Sequence, residues 1–187
     1  MREQPRAPDR EQTFRDLYEA AYPDLRRFVQ RRVHPDHVDD TLAEVFLVVW
    51  RRLDEVPAAR DDARAWVFGV ARRVLLNTYR GDRRRLALGV RLADATPVGH
   101  EPAPDDVVHR IDLATAWRRL TPAHQETLAL AVLDGLDAPR AAAVLGISPV
   151  AFRLRLSRAR RALRLHLDHL PERGTVPARA AERTPSR

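Results

Sequence analysis

The chain has 187 residues, enough for one domain or two small ones. It carries 33 basic against 26 acidic residues, a formal net charge of +7 that favours a polyanionic partner, and all the basic residues are arginine. The complete lack of cysteine excludes disulfides and thiolate metal sites; the lack of lysine is ascribed to the coding bias of a GC-rich genome.

No alternating strand pattern stands out, and glycine is scarce inside the periodic segments, so the chain reads as all-helical. Residues 1–12 are polar, carry no secretory-signal pattern and read as a disordered arm. Thr13 with Asp16 is the candidate cap of a first helix whose apolar face is Phe14, Leu17, Ala21, Leu25 and Phe28. Pro23 is expected to break or kink this helix after Tyr22. A second helix opens after Pro35 and Asp36 and runs to about Leu53. Val38, Leu42, Val45, Phe46, Val49 and Leu53 share about a third of its circumference and form its core stripe. Asp40, Glu44, Leu47, Val48 and Arg51 lie opposite. Two acids beside two aliphatics on an outer face suit a docking patch for a basic and apolar partner. Packing of Leu47 and Val48 against another helix of the same domain is the equal alternative.

A third helix covers about Asp62 to Arg80. Trp66, Val70, Val74 and Asn77 fall on one line, with Val67, Ala71 and Leu75 beside it. Arg72, Arg73 and Arg80 take the remaining face, and Arg83, Arg84 and Arg85 follow. Trp66, Phe68 and Tyr79 are interleaved with this charge, a pattern that suits unstacked bases and a phosphate track. The alternative is aromatics in the core and arginines in solvent. Residues 86–106 lose periodicity, gather proline, glycine and acids, and read as a linker.

Helical pattern resumes at Val107 and runs to Leu120; Thr121 and Pro122 start another helix, closed by Gly135. Asp137 then caps a short helix, Gly146 makes a sharp turn filled by Ile147, and Ser148 caps a long helix with Pro149 at its first position. Phe152, Leu156, Ala159, Leu163 and Leu167 form the apolar stripe of that helix. Arg153, Ser157, Arg158, Arg161 and Arg164 lie on its other side. Such a pair is a helix-turn-helix, built to place a basic face in a DNA major groove; an ordinary helical hairpin with a solvated charged face is the alternative. Residues 171–187 read as a disordered tail. The longest strongly apolar run, Val45 to Trp50, is far too short to span a bilayer, so no membrane insertion is expected. The seven histidines are scattered, and His166 and His169 around Asp168 are explained by a solvated helix end better than by a metal. There is no phosphate-cradling glycine loop or nucleophile elbow, so neither catalysis nor a cofactor is expected.

The segments FRDLYEAAYPDLRRFVQRRV, DDTLAEVFLVVWRRLD, ARAWVFGVARRVLLNTYRGDRRR and LTPAHQETLALAVLDGLDAPRAAAVLGISPVAFRLRLSRARRAL, in that order, resemble an extracytoplasmic-function (ECF) sigma factor of bacterial RNA polymerase. The resemblance covers nearly everything from Phe14 to Leu167. It implies two small helical domains, 13–85 and 107–170, joined by a flexible linker over 86–106, the second domain carrying the helix-turn-helix. It implies a cytoplasmic protein whose partners are core RNA polymerase, through the β′ clamp coiled coil and the β flap, and promoter DNA, with an anti-sigma factor as a further candidate. By the resemblance, Asp39, Asp40 and Glu44 match the polymerase-docking helix, with Phe46 and Trp50, and the docking set takes in the outward Leu47 and Val48. Trp66, Arg72 and Arg80 match the helix that holds the −10 element open, with Ala71, and Arg73 stands on the same face. The loop Pro57–Ala65 matches one that captures a flipped −10 base. Ser148, Ala151, Arg153, Leu154, Ser157, Arg158 and Arg161 are the candidate −35 contacts. The chain departs from the family pattern at Ala43, where glutamine is common, at Arg73 (asparagine), at Arg140 (glutamate) and at Leu154 (a small polar residue). A stand-alone helix-turn-helix repressor is the alternative function, and a protein-interaction adaptor a third; the outward patch of the second helix argues against the former, the arginines of the last helix against the latter.

Overall fold

The computed structural model describes residues 7–80, 90–91 and 104–169, with side chains over 10–78, 90–91 and 109–169. Expectations for 1–6, for most of the linker, for the side chains of Tyr79, Arg80 and Arg83 to Arg85, and for the tail 171–187 lie outside these residues. Every regular element among the described residues is helical: α1 (Ala7–Gln30), α2 (Val38–Arg51), α3 (Arg60–Arg80), α4 (Pro104–Arg118), α5 (Pro122–Leu128), α6 (Ala138–Leu145) and α7 (Pro149–Asp168). A π-helical turn over Ala129–Leu133 extends α5.

α1, α2 and α3 pack on one another, and α7 collects α4, α5 and α6. The stripe expected for α2 is its inner face, with Val38, Leu42, Val45, Phe46 and Val49 all buried. Phe28 of α1 and Phe68 of α3 are fully buried and stack with centroids 4.8 Å apart. Phe68 is therefore a core residue and unavailable to an unstacked base.

Two expectations about α1 are corrected, and of the break or kink expected at Pro23 the break does not occur. The helix starts at Ala7, so residues 7–12 belong to it, and Thr13 lies inside it rather than at its cap. Arg10 holds that first turn in place by donating to both Asp54 carboxylate oxygens, at 2.9 and 3.0 Å, and to the Trp50 carbonyl at 2.8 Å. Pro23 does not end the helix, which runs on to Gln30. An internal proline costs about 3 kcal/mol, but Pro23 itself is exposed while Ala21, Leu25, Phe28 and Val29 around it are buried, so packing on both sides outweighs the lost bond.

The second half obeys its capping signals. The Thr121 side chain accepts from His124 N, Asp137 from Arg140 N and Ser148 from Ala151 N. Gly146 ends α6 at φ +68°, a left-handed turn that favours glycine. α4 starts at Pro104, three residues before the expected Val107, and ends at Arg118.

The two halves share one core. Leu130, Leu136, Ala141, Ala142, Val144, Leu145 and Phe152 join the cluster built on α1, α2 and α3. A second, smaller cluster gathers Val90, Trp117, Leu120, Leu128, Ala129 and Ala159.

Replacing Phe68 with alanine empties a fully buried site and is expected to cost about 3–5 kcal/mol in urea unfolding. Leu47→Ala, on the outer face of α2, is expected to stay within about 0.5 kcal/mol in the same measurement.

Candidate nucleic-acid interface

Three surfaces hold the candidate residues. On α2, Asp39, Asp40 and Glu44 are exposed, and Leu47 is 56% exposed. Val48 is half-buried and packs against the core, so the two aliphatics divide between the two readings. Asp39 is paired with Arg26 at 2.8 Å while remaining in solvent. Phe46 is buried, and Trp50 sits at the surface with its ring edge-on to Phe14 at 5.2 Å.

On α3, Trp66 is half-buried with the Arg52 guanidinium 5.6 Å above its ring. Arg73 is exposed about two turns further along. Both line a cleft of about 490 Å³ whose far wall is Pro139, Arg140 and Ala143 of α6. Arg72 is half-buried and paired with Glu126 of α5, Nε to Oε1 at 2.7 Å and Nη2 to Oε2 at 3.3 Å. The segment Pro57–Ala65 is loop only as far as Ala59, because α3 already begins at Arg60. It borders a second cleft of about 650 Å³ with Ala21, Asp24, Val56 and Arg64 among its walls.

On α7, Ser148 caps the helix and Phe152 and Ala159 anchor it, at 1% and 0% exposure. That leaves Arg153, Leu154, Ser157, Arg158 and Arg161 exposed on one side, with Ala151 half-buried at its edge. Arg153, Arg158 and Arg161 make no ion pair among the described residues, so their donors face solvent. Leu154 is 55% exposed. With Arg158 it borders a groove of about 330 Å³ against Ala123 and His124 at the start of α5.

Apart from Arg72 and Arg140, the sequence reading did not single out the groups that tie these surfaces together. Asp134 is 1% exposed in its side chain and lies between Arg31 and Arg32, in the turn just after α1, themselves 11% and 0% exposed. Burial pushes the Arg32 guanidinium down to about 10 against the pull of Asp134, which still leaves it charged at neutral pH. Arg64 of α3 donates to the Asp134 carbonyl at 2.7 Å and to Asp24 at 2.5 Å. Arg140 caps nothing as a glutamate would; it reaches from α6 to Asp62 at 2.7 Å. No local pattern marks these pairs, since the partners are 54 to 103 residues apart in all but the Arg64–Asp24 case.

Residues 17–85 match the Sigma-70 region 2 family, and residues 110–163 match Sigma-70, region 4. The RNA polymerase sigma factor CnrH of Cupriavidus metallidurans is 33% identical over 141 residues, covering 70% of this chain and 73% of that protein. The ECF RNA polymerase sigma factor SigL of Mycobacterium tuberculosis is 30% identical over 135 residues, covering 71% and 75%. Among solved structures, CnrH in complex with the cytosolic domain of CnrY superposes with a TM-score of 0.57 at 25% identity, over 84% of this chain and 89% of that one. The sigma factor RpoE of Bartonella quintana, solved with the anti-sigma factor NepR, has the same fold, with a TM-score of 0.62 at 22% identity over 83% and 97%. A region 2 module followed by a region 4 module is the make-up of a sigma-70-type initiation factor. The chain belongs to the extracytoplasmic-function group of RNA polymerase sigma factors, which bind core polymerase and direct promoter-specific initiation through −10 and −35 elements.

Loss of Arg153 or Arg158 is expected to lower promoter affinity by about 1–3 kcal/mol where the guanidinium is bidentate to a guanine, and to relax one base pair. Leu154 cannot donate a hydrogen bond and suits a thymine methyl. Leu154→Ser is therefore expected to change preference at one position more than it lowers overall affinity. Binding of each variant to a set of single-base promoter mutants checks both.

Proposed function

We propose that the chain divides its work among the three surfaces, with 13–85 and 107–170 as working units and 86–106 as their connection. The outer face of α2, with Asp39, Asp40, Glu44, Leu47 and part of Val48, docks on the β′ clamp coiled coil of core polymerase. Trp66, Arg72, Arg73 and Arg80 hold the non-template strand of the −10 element. Ser148, Ala151, Arg153, Leu154, Ser157, Arg158 and Arg161 face the −35 element in the major groove. The domain that carries α7 also meets the β flap. Opening of the −10 region draws on binding energy alone; the protein is not an enzyme, holds no cofactor or metal and works in the cytoplasm. Two of the matched structures carry their sigma factors in complex with CnrY or the anti-sigma factor NepR, and a protein of that kind is proposed as a further partner here.

One observation carries this reading over a free-standing repressor. Leu47 stands 56% exposed beside the outward acids Asp40 and Glu44. A repressor has no use for such a patch, whereas a polymerase subunit with basic and apolar groups does. Run-off transcription with purified core polymerase is the test.

The variant carrying both Asp40→Arg and Glu44→Arg is expected to lose core affinity by an order of magnitude or so, with unfolding unchanged because exposed charges contribute about 0–1 kcal/mol. Equal affinity of variant and native chain for core polymerase removes α2 from the docking surface.

A further inference from the structure

Two aliphatic side chains in the first two turns of α7 stand in solvent. Val150 is 62% exposed and Leu154 is 55% exposed. They are four residues apart, so one lies above the other on the helix surface. Both lie on the side opposite Phe152 and Ala159, the buried residues that seat α7 on the rest of the chain. Ser157 and Arg161 continue the same line over the next turns, and Arg153 and Arg158 flank it. A single exposed aliphatic needs no explanation. A stacked pair framed by arginines that make no ion pair among the described residues suits an apolar group carried on a polyanion. Double-stranded DNA offers one such group: among the base edges of its major groove, the thymine C5-methyl is the apolar feature.

The chemistry around the pair disfavours any other base edge. The small groove against α5 adds Ala123 and Ala151 to the apolar surface beside Leu154. The side chains of Val150, Leu154, Ala123 and Ala151 can neither donate nor accept a hydrogen bond. A cytosine amino group or a guanine oxygen set against them loses its water and gains no partner, whereas a methyl group loses nothing. Geometry sets the spacing. Four residues advance about 6 Å along a helix axis, and each base-pair step advances about 3.4 Å. The two side chains therefore meet methyl groups no more than two steps apart.

We propose that Val150 is a further specificity-determining residue of the −35 contact, acting with Leu154 as a two-position reader of thymine methyls. The duplex that the pair selects carries two thymines, on either strand, within two steps of each other. Leu165, the third exposed aliphatic of α7, lies about 16 Å along the axis from Leu154 and takes no part. The inference rests on the reading of α7 as the −35 helix.

Deoxyuridine, which is thymidine without the methyl group, tests this without altering the protein. The probe is a duplex selected from a randomised pool by the full chain assembled with core polymerase. Its −35 element is located by single-base changes and rebuilt with each thymine in turn replaced by deoxyuridine. Two thymines within two steps of each other are each expected to lose about fourfold in affinity, the weight of one buried methyl-sized group. Val150→Ala is expected to abolish the loss at one of them and Leu154→Ala at the other, while Leu165→Ala leaves both. Alanine favours the helix, so α7 is kept in all three variants. A native chain that binds thymine and deoxyuridine duplexes equally at every position overturns the proposal. So does a Val150→Ala chain that keeps both losses, or a selected element without such a pair of thymines. Two arginine variants separate the levels. If Arg153→Ala and Arg161→Ala weaken binding to the same duplex while deoxyuridine is silent, methyl reading alone is disproved. If no upstream element is selected and neither arginine variant weakens binding, the −35 role of α7 itself falls.

Discussion

Asp134 and the two guanidiniums around it are the contact that gives this molecule its shape. Taking a carboxylate and an arginine out of water costs several kcal/mol per ion, recovered only when each finds well-placed partners. Here the backbone supplies the placement. The π-helical turn ends with Asp134 N–H donating to the Ala129 carbonyl at 2.8 Å, and Gly135 follows at φ +64°. This aims the carboxylate away from its own domain and into the C-terminal end of α1. Arg64 then binds the carbonyl of the same residue, so one position engages α1 and α3 together. Buried pairs of this sort add little net stability; their effect is that any other docking angle leaves a charge stranded.

The shared core follows from that angle. With α6 laid on α3, Leu136, Ala141, Val144 and Leu145 are buried with Val67, Phe68 and Leu75. The two modules are separate as family units, and each has its own helices, yet the larger cluster runs through both. The smaller one gathers around Trp117 and includes the linker residue Val90.

What could be read from the sequence was what is encoded locally. Asp137, Gly146 and Ser148 announce the helix-turn-helix because a cap or a left-handed turn involves neighbours only. The inner stripe of α2 was legible because 3.6-residue periodicity needs no knowledge of the partner. Pro23 misled because its intrinsic penalty is local and the packing that overcomes it is not. Phe68 was indistinguishable from Trp66 by pattern, although one stacks inside on Phe28 and the other borders a cleft. The site lost most where its chemistry is tertiary. Arg72 reads as a free cation on a helix face, and only the fold brings Glu126 to it from 54 residues away. Arg153, Arg158 and Arg161 of α7 were legible for the opposite reason: none of the described residues comes to meet them in an ion pair.

The arginine-carboxylate character of the interdomain ion pairs has a consequence for the conditions under which this molecule changes shape. The pairs of Asp134 with Arg31 and Arg32, of Glu126 with Arg72 and of Asp62 with Arg140 contain no histidine, the side chain whose charge turns over between pH 5 and 8, and guanidinium keeps its proton throughout. Acidity in that range therefore leaves the charge of these guanidiniums as it is. Dissolved ions act on the pairs by screening. Asp61 and Asp62 are 72% and 49% exposed where they meet Arg140, whereas Asp134 is 1% exposed. Exposed pairs are screened over about 8 Å at physiological ionic strength and buried ones much less. Rising ionic strength thus loosens the molecule from the α6 edge inward, with the α1 end as the last hinge to give way.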